Sequence, residues 1–93
     1  GSLVYKVAIE IKGGRDYANF HNRVGEAEKS HQKARADGAQ DCWTIISLDR
    51  VDMTVARRES PTTREWLDVS QVLDQKGPHW NRLVTLTLSA MGI

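Results

Sequence analysis

Cysteine is nearly absent from this sequence: Cys42 is the one example in 93 residues. One thiol cannot close an internal disulfide, so the fold does not lean on an oxidising compartment and a cytoplasmic setting is expected. No stretch approaches the roughly 20 apolar residues of a membrane helix, and no basic leader with an apolar run opens the chain, which predicts a soluble protein. An excess of one charge is missing too, since 13 Lys and Arg face 12 Asp and Glu for a net +1. Dedicated binders of a phosphate backbone are usually strongly basic, so nucleic acid ranks low among the expected partners. Length and a hydrophobic share of 40% allow one small domain, residues 3–93, with a single core. Gly1 and Ser2 read as an expression scar, and the missing initiator Met predicts a domain cut from a longer protein.

The residues that usually carry chemistry are also sparse. His21, His31 and His79 are the histidines, and none stands at ligand spacing from another or from Cys42, so no metal site or cofactor is expected. Cys42, Ser47 and Ser60 lack a motif that sets a base beside them, and Asp49 with Asp52 reads as a solvated turn. Gly13-Gly14 lacks the Lys-Ser/Thr or third glycine of a phosphate loop and reads as a turn. No catalytic residue is assigned, and the protein is expected not to be an enzyme.

What is present is amphipathic patterning. In "LVYKVAIEIK" Leu3, Tyr5, Val7, Ile9 and Ile11 alternate with Val4, Lys6, Ala8, Glu10 and Lys12, which predicts a strand with the first set toward the core. After the glycines, Asp16 can cap a helix whose narrow stripe is Tyr17, Phe20, Val24, Ala27, His31 and Ala34, ending near Ala36 before Gly38. "CWTIIS" and "VDMTVA" predict a hairpin about "LDR". "SPTTREWLDVSQVLDQKGP" predicts a second helix, capped at Ser60 or Thr62, with Thr62 and Glu65 as a capping box and Gly77-Pro78 as its stop. "LVTLTLSAMGI" alternates and predicts a last strand.

Strand, helix, strand, strand, helix, strand is the ferredoxin-like α+β plan: an antiparallel four-stranded sheet with both helices on one face. Such a sheet leaves its other face open, and that face would carry Lys6, Ala8, Thr85, Thr87 and Ser89, with the uncharged terminal strand and Met91 as an edge. Small, mild side chains there predict docking, so the expected role is protein interaction or homo-oligomerisation. The basic first helix offers an alternative, nucleic-acid binding through Asn19, Asn22, Arg23, Lys29 and Lys33, by analogy of plan with the viral E2-type dimeric barrel. Arg57, Arg58 and Arg64 form a second basic cluster, able to meet an acidic partner but more often a solvated rim.

Three short pieces, "VYKVAIEIKG", "CWTIISLDR" and "LVTLTLS", resemble strands of dodecin, a small flavin-binding protein that forms a hollow dodecamer. The resemblance covers about a third of the chain and implies that Trp43 stacks on a flavin or another flat aromatic ligand. The helix expected over 60–77 departs from that family.

Overall fold

The computed structural model describes residues 6–12, 20–49 and 51–92. Its elements run β1 (Val7–Lys12), α1 (Phe20–Ala36), β2 (Asp41–Ile46), α2 (Met53–Glu59), β3 (Glu65–Asp68), α3 (Val69–Asp74) and α4 (Pro78–Ala90). The three strands form one all-parallel sheet in the order β1-β2-β3. Every residue of β2 is buried, as expected of a central parallel strand with helices on both faces.

Register sets what each face carries, because alternate residues of a strand point to opposite sides. Glu10, Thr44 and Trp66 stand in one row across the sheet, and Lys12 stands beside Ile46. This face lies under α1, whose His31 meets Thr44. The opposite face carries Ile11, Ile45 and Leu67 in a row. There Ile45, Leu67 and Val69 make the core cluster, closed by Val72 of α3 and Leu83 of α4.

This architecture corrects the expectation of a four-stranded antiparallel ferredoxin-like sandwich. The helix over Phe20–Ala36 is present, with Val24, Ala27 and His31 buried on its stripe and Gly38 at φ 105° ending it. The expected hairpin is absent, because "MTVARRE" is helical. Asp52 caps it by accepting from the backbone N–H of Thr54 and Val55. The expected long helix over 60–77 is instead a turn, β3 and the short α3. Its capping box does not form, since Thr62 turns its hydroxyl to Glu28 at 2.7 Å and Glu65 opens a strand.

The final "strand" is α4. Gly77 at φ 94° delivers Pro78 into its first turn, and Leu83, Leu86 and Ala90 turn inward at spacings of three and four. Ile9 and Ile11, expected toward the core, are 46% and 62% exposed although Ile11 shares the row of Ile45 and Leu67, while Glu10 and Lys12, expected on the open face, are half-buried on the side of α1. Leu3, Val4, Tyr5, Gly13, Gly14, Asp16, Tyr17 and Asn19 lie outside the described residues.

Candidate functional site

Open parallel sheets bind ligands outside the carboxyl ends of their strands, where loops and helix starts converge. In β1 that end is Glu10-Ile11-Lys12. A spacing of two puts the Glu10 carboxylate and the Lys12 ammonium on the same face, toward α1. Lys12 Nζ donates to Glu26 Oε2 of α1 at 3.2 Å, so the ammonium is held between strand and helix. One carboxylate bonded to the ammonium and a second on the same strand face make a set that can meet a phosphate with positive charge and a cation with hard oxygens.

Behind it lies a largely buried polar network. His31 is 0% exposed, and its Nε2 is 2.9 Å from Thr44 Oγ1. Thr44 and Thr63 hydroxyls meet at 2.8 Å, as do those of Thr63 and Ser60. Ser60 Oγ donates to Glu28 Oε1 at 3.1 Å. Glu28 also accepts from the Thr62 N–H and hydroxyl and from Gln32 Nε2, at 2.9, 2.7 and 2.7 Å. Burial pushes the Glu28 carboxyl up, but these bonds outweigh it and hold the group below its ordinary value.

An ionised Glu28 only accepts, so each hydroxyl must pass its proton toward it: Ser60 to Glu28, Thr63 to Ser60, Thr44 to Thr63. Thr44 is then left to accept from His31 Nε2–H. Burial lowers the His31 pKa, against the raising charges of Glu10 and Glu28, and keeps the ring neutral. Its bare Nδ1 has no hydrogen-bond partner among the described residues.

A second node sits at the opposite end of the sheet. Arg64 grips buried Asp41 through Nε and Nη2 at 2.7 and 2.6 Å, and Trp43 Nε1 donates to the same carboxylate at 2.9 Å. Burial raises the Asp41 pKa, but the Arg64 and Trp43 bonds and the Arg64 charge bring it below the ordinary value. Trp43 is thus buried with its indole N–H committed, and offers no free face for a flavin.

The expected interface residues fall on two elements, β1 with the residue before it and α4 with the residue after it. Thr85, Thr87 and Ser89 lie exposed from the middle of α4 toward its end, Met91 is exposed at its C-cap, Lys6 precedes β1, and Ala8 is half-buried on β1. Asn22, Lys29 and Lys33 are exposed on α1 and Arg23 is half-buried there, with Asn22 and Arg23 within one turn of Glu26. His79 accepts from the Asp68 N–H through Nδ1, Cys42 is buried, and Asp52 is a cap. Sequence reasoning did not single out Glu10 and Lys12, which it read as residues of the strand face turned away from the core. The available signal was an acid and a base two apart at the end of a strand, followed in the sequence by two glycines.

The family model of the XcyI restriction endonuclease matches residues 2–93. The chain is similar to the type II restriction enzyme Cfr9I of Citrobacter freundii, 46% identical over 85 residues, covering 87% of this chain and 26% of that protein. It is likewise similar to the type II restriction enzyme XcyI of Xanthomonas campestris pv. cyanopsidis, with the same identity and coverage. The chain thus spans about a quarter of the length of these curated relatives. No solved structure matches it. These findings overturn the resemblance to dodecin, the expectation of a non-catalytic interaction or oligomerisation domain, the expectation of no enzyme, and the low rank given to nucleic acid. The chain belongs to the XcyI restriction endonuclease family.

Proposed function

We propose that this chain carries part of the cleaving centre of a DNA endonuclease, with Glu10 and Lys12 as its working residues. The observation that carries the reading is the Glu10–Lys12 pair on one half-buried face at the carboxyl end of β1, with Lys12 held by Glu26. Hydrolysis of a phosphodiester adds water to phosphorus and breaks one P–O ester bond, so charge builds on the non-bridging oxygens. The Lys12 ammonium is proposed to stabilise that charge, which costs no reorganisation because Glu26 already fixes the side chain. Asn22 and Arg23, on the turn of α1 before Glu26, are proposed to steady the neighbouring backbone.

A divalent cation such as Mg²⁺ suits this donor set, because it is bound by one or two carboxylates and completes its shell with water and phosphate oxygens. Glu10 would hold it, with Glu26 as the second hard donor. Among the described residues there is no cluster of three or more His, Cys, Asp or Glu side chains fit to hold a metal alone. When bound, such an ion would neutralise phosphate charge and lower the pKa of water.

Replacing Lys12 by Ala or Glu10 by Gln in the full-length protein is expected to cut single-turnover DNA cleavage by about 100-fold or more while duplex binding persists. A Lys12→Ala protein that cleaves at the wild-type rate would overturn the proposal.

A further inference from the structure

Beside the amino end of β3, at that edge of the sheet, lies a cleft of about 450 Å³. It is lined by Arg57 at the end of α2, Pro61 and Thr63 of the following turn, and Arg64, Glu65 and Trp66 entering β3. We propose that this cleft seats a backbone phosphate of duplex DNA flanking the cleavage point, with Arg57 as its charge and Arg64 as its fixed edge. This rests on the reading of the chain as part of a DNA endonuclease.

Charge within the cleft is uneven. Glu65 is matched by Arg82 at 2.7 Å and Asp41 by Arg64 at 2.6 Å, whereas no carboxylate pairs with Arg57 among the described residues. One uncompensated guanidinium therefore remains, and its planar fork suits a phosphate. Arg64 is pre-positioned, because the buried Asp41 carboxylate holds it while 61% of its side chain stays exposed. A ligand meeting it has less rotamer freedom left to remove. In the same wall the indole N–H of Trp66 is buried without a partner among the described residues.

Distance supports a flanking phosphate and not the scissile one. Arg64 donates its backbone N–H to the carbonyl of Cys42, and Cys42 stands four residues before Ile46, the neighbour of Lys12. Four residues along and two strands across separate the sites by about 16 Å, at about 3.3 Å per residue and about 4.8 Å per strand. That is the rise of about five base pairs at 3.4 Å each.

The test measures binding of an unrelated duplex by the full-length protein in EDTA, over a range of salt, and cleavage of its substrate DNA with cation restored. Arg57→Ala should lower the slope of log K against log salt by about one and raise KM, leaving kcat within about twofold; Arg57→Lys should keep the slope. Arg58→Ala, beside the cleft but not lining it, should change the slope less. An unchanged slope in Arg57→Ala, or equal losses from Arg57→Ala and Arg58→Ala, would overturn the cleft alone. A wild-type protein that binds no duplex at any salt would overturn both the cleft and the proposed function.

Discussion

Two glycines separate conformational need from habit. Gly25 lies inside α1 with open space where a Cβ would stand, so Gly25→Ala should raise stability by about 1 kcal/mol in denaturant unfolding. Gly77 adopts φ 94°, and an added Cβ would stand 2.6 Å from Gln71 Oε1, so Gly77→Ala should lose about 1–3 kcal/mol. Titration gives a second expectation. Glu28, Asp41 and Asp68 are held below their ordinary values of 4.5, 3.8 and 3.8, so their stabilisation holds above those values and is lost as pH falls through the lower folded ones. His31 is lowered from 6.5 chiefly by burial, so the unfolded chain takes its proton first and stability begins to drop below about that pH. The thermal midpoint should therefore fall between pH 7 and 5, and His31→Gln should flatten that part of the curve.

At the scale of elements, the assignment of α4 can be tested directly. Thr85 is exposed in its middle, so Thr85→Pro removes little packing yet should cost about 3 kcal/mol and weaken the helical circular dichroism signal. A terminal strand would respond without that helical loss. The alternation of "VTLTLS" was legible but ambiguous, because Leu83, Leu86 and Ala90 also fit a period of 3.6. The helix around Val24, Ala27 and His31 was readable, since its stripe persists for several turns. The all-parallel order was not readable, because it depends on which strands lie side by side, and no local signal carries that. Glu10 and Lys12 were visible as residues but not as a candidate site, because the role proposed for them depends on α1 lying over that face of β1. In the Thr44–Thr63–Ser60 chain the Thr44–Thr63 link joins residues 19 apart, and nothing in that spacing announces it.

For the whole molecule, the proposed divalent cation can be separated from folding by its removal. EDTA is expected to stop DNA cleavage by the full-length protein while leaving its thermal midpoint within about a degree, since the described core is held by apolar packing and protein hydrogen bonds. Cleavage that continues in EDTA would remove the role proposed for Glu10. The core itself should respond to cavities: Leu67 is buried in the cluster with Ile45 and Val69, and Leu67→Ala should cost about 2–5 kcal/mol by chemical denaturation. Among the described residues no helix is long and apolar enough to cross a membrane.

Cys42, finally, lies buried between sheet and helix with its sulfur 4.0 Å from the His31 carbonyl oxygen, and burial pushes its thiol pKa up. A reagent such as a maleimide can reach it only after α1 lifts from β2. Because no second thiol competes for the label, the speed of modification in native buffer clocks how often the two layers part.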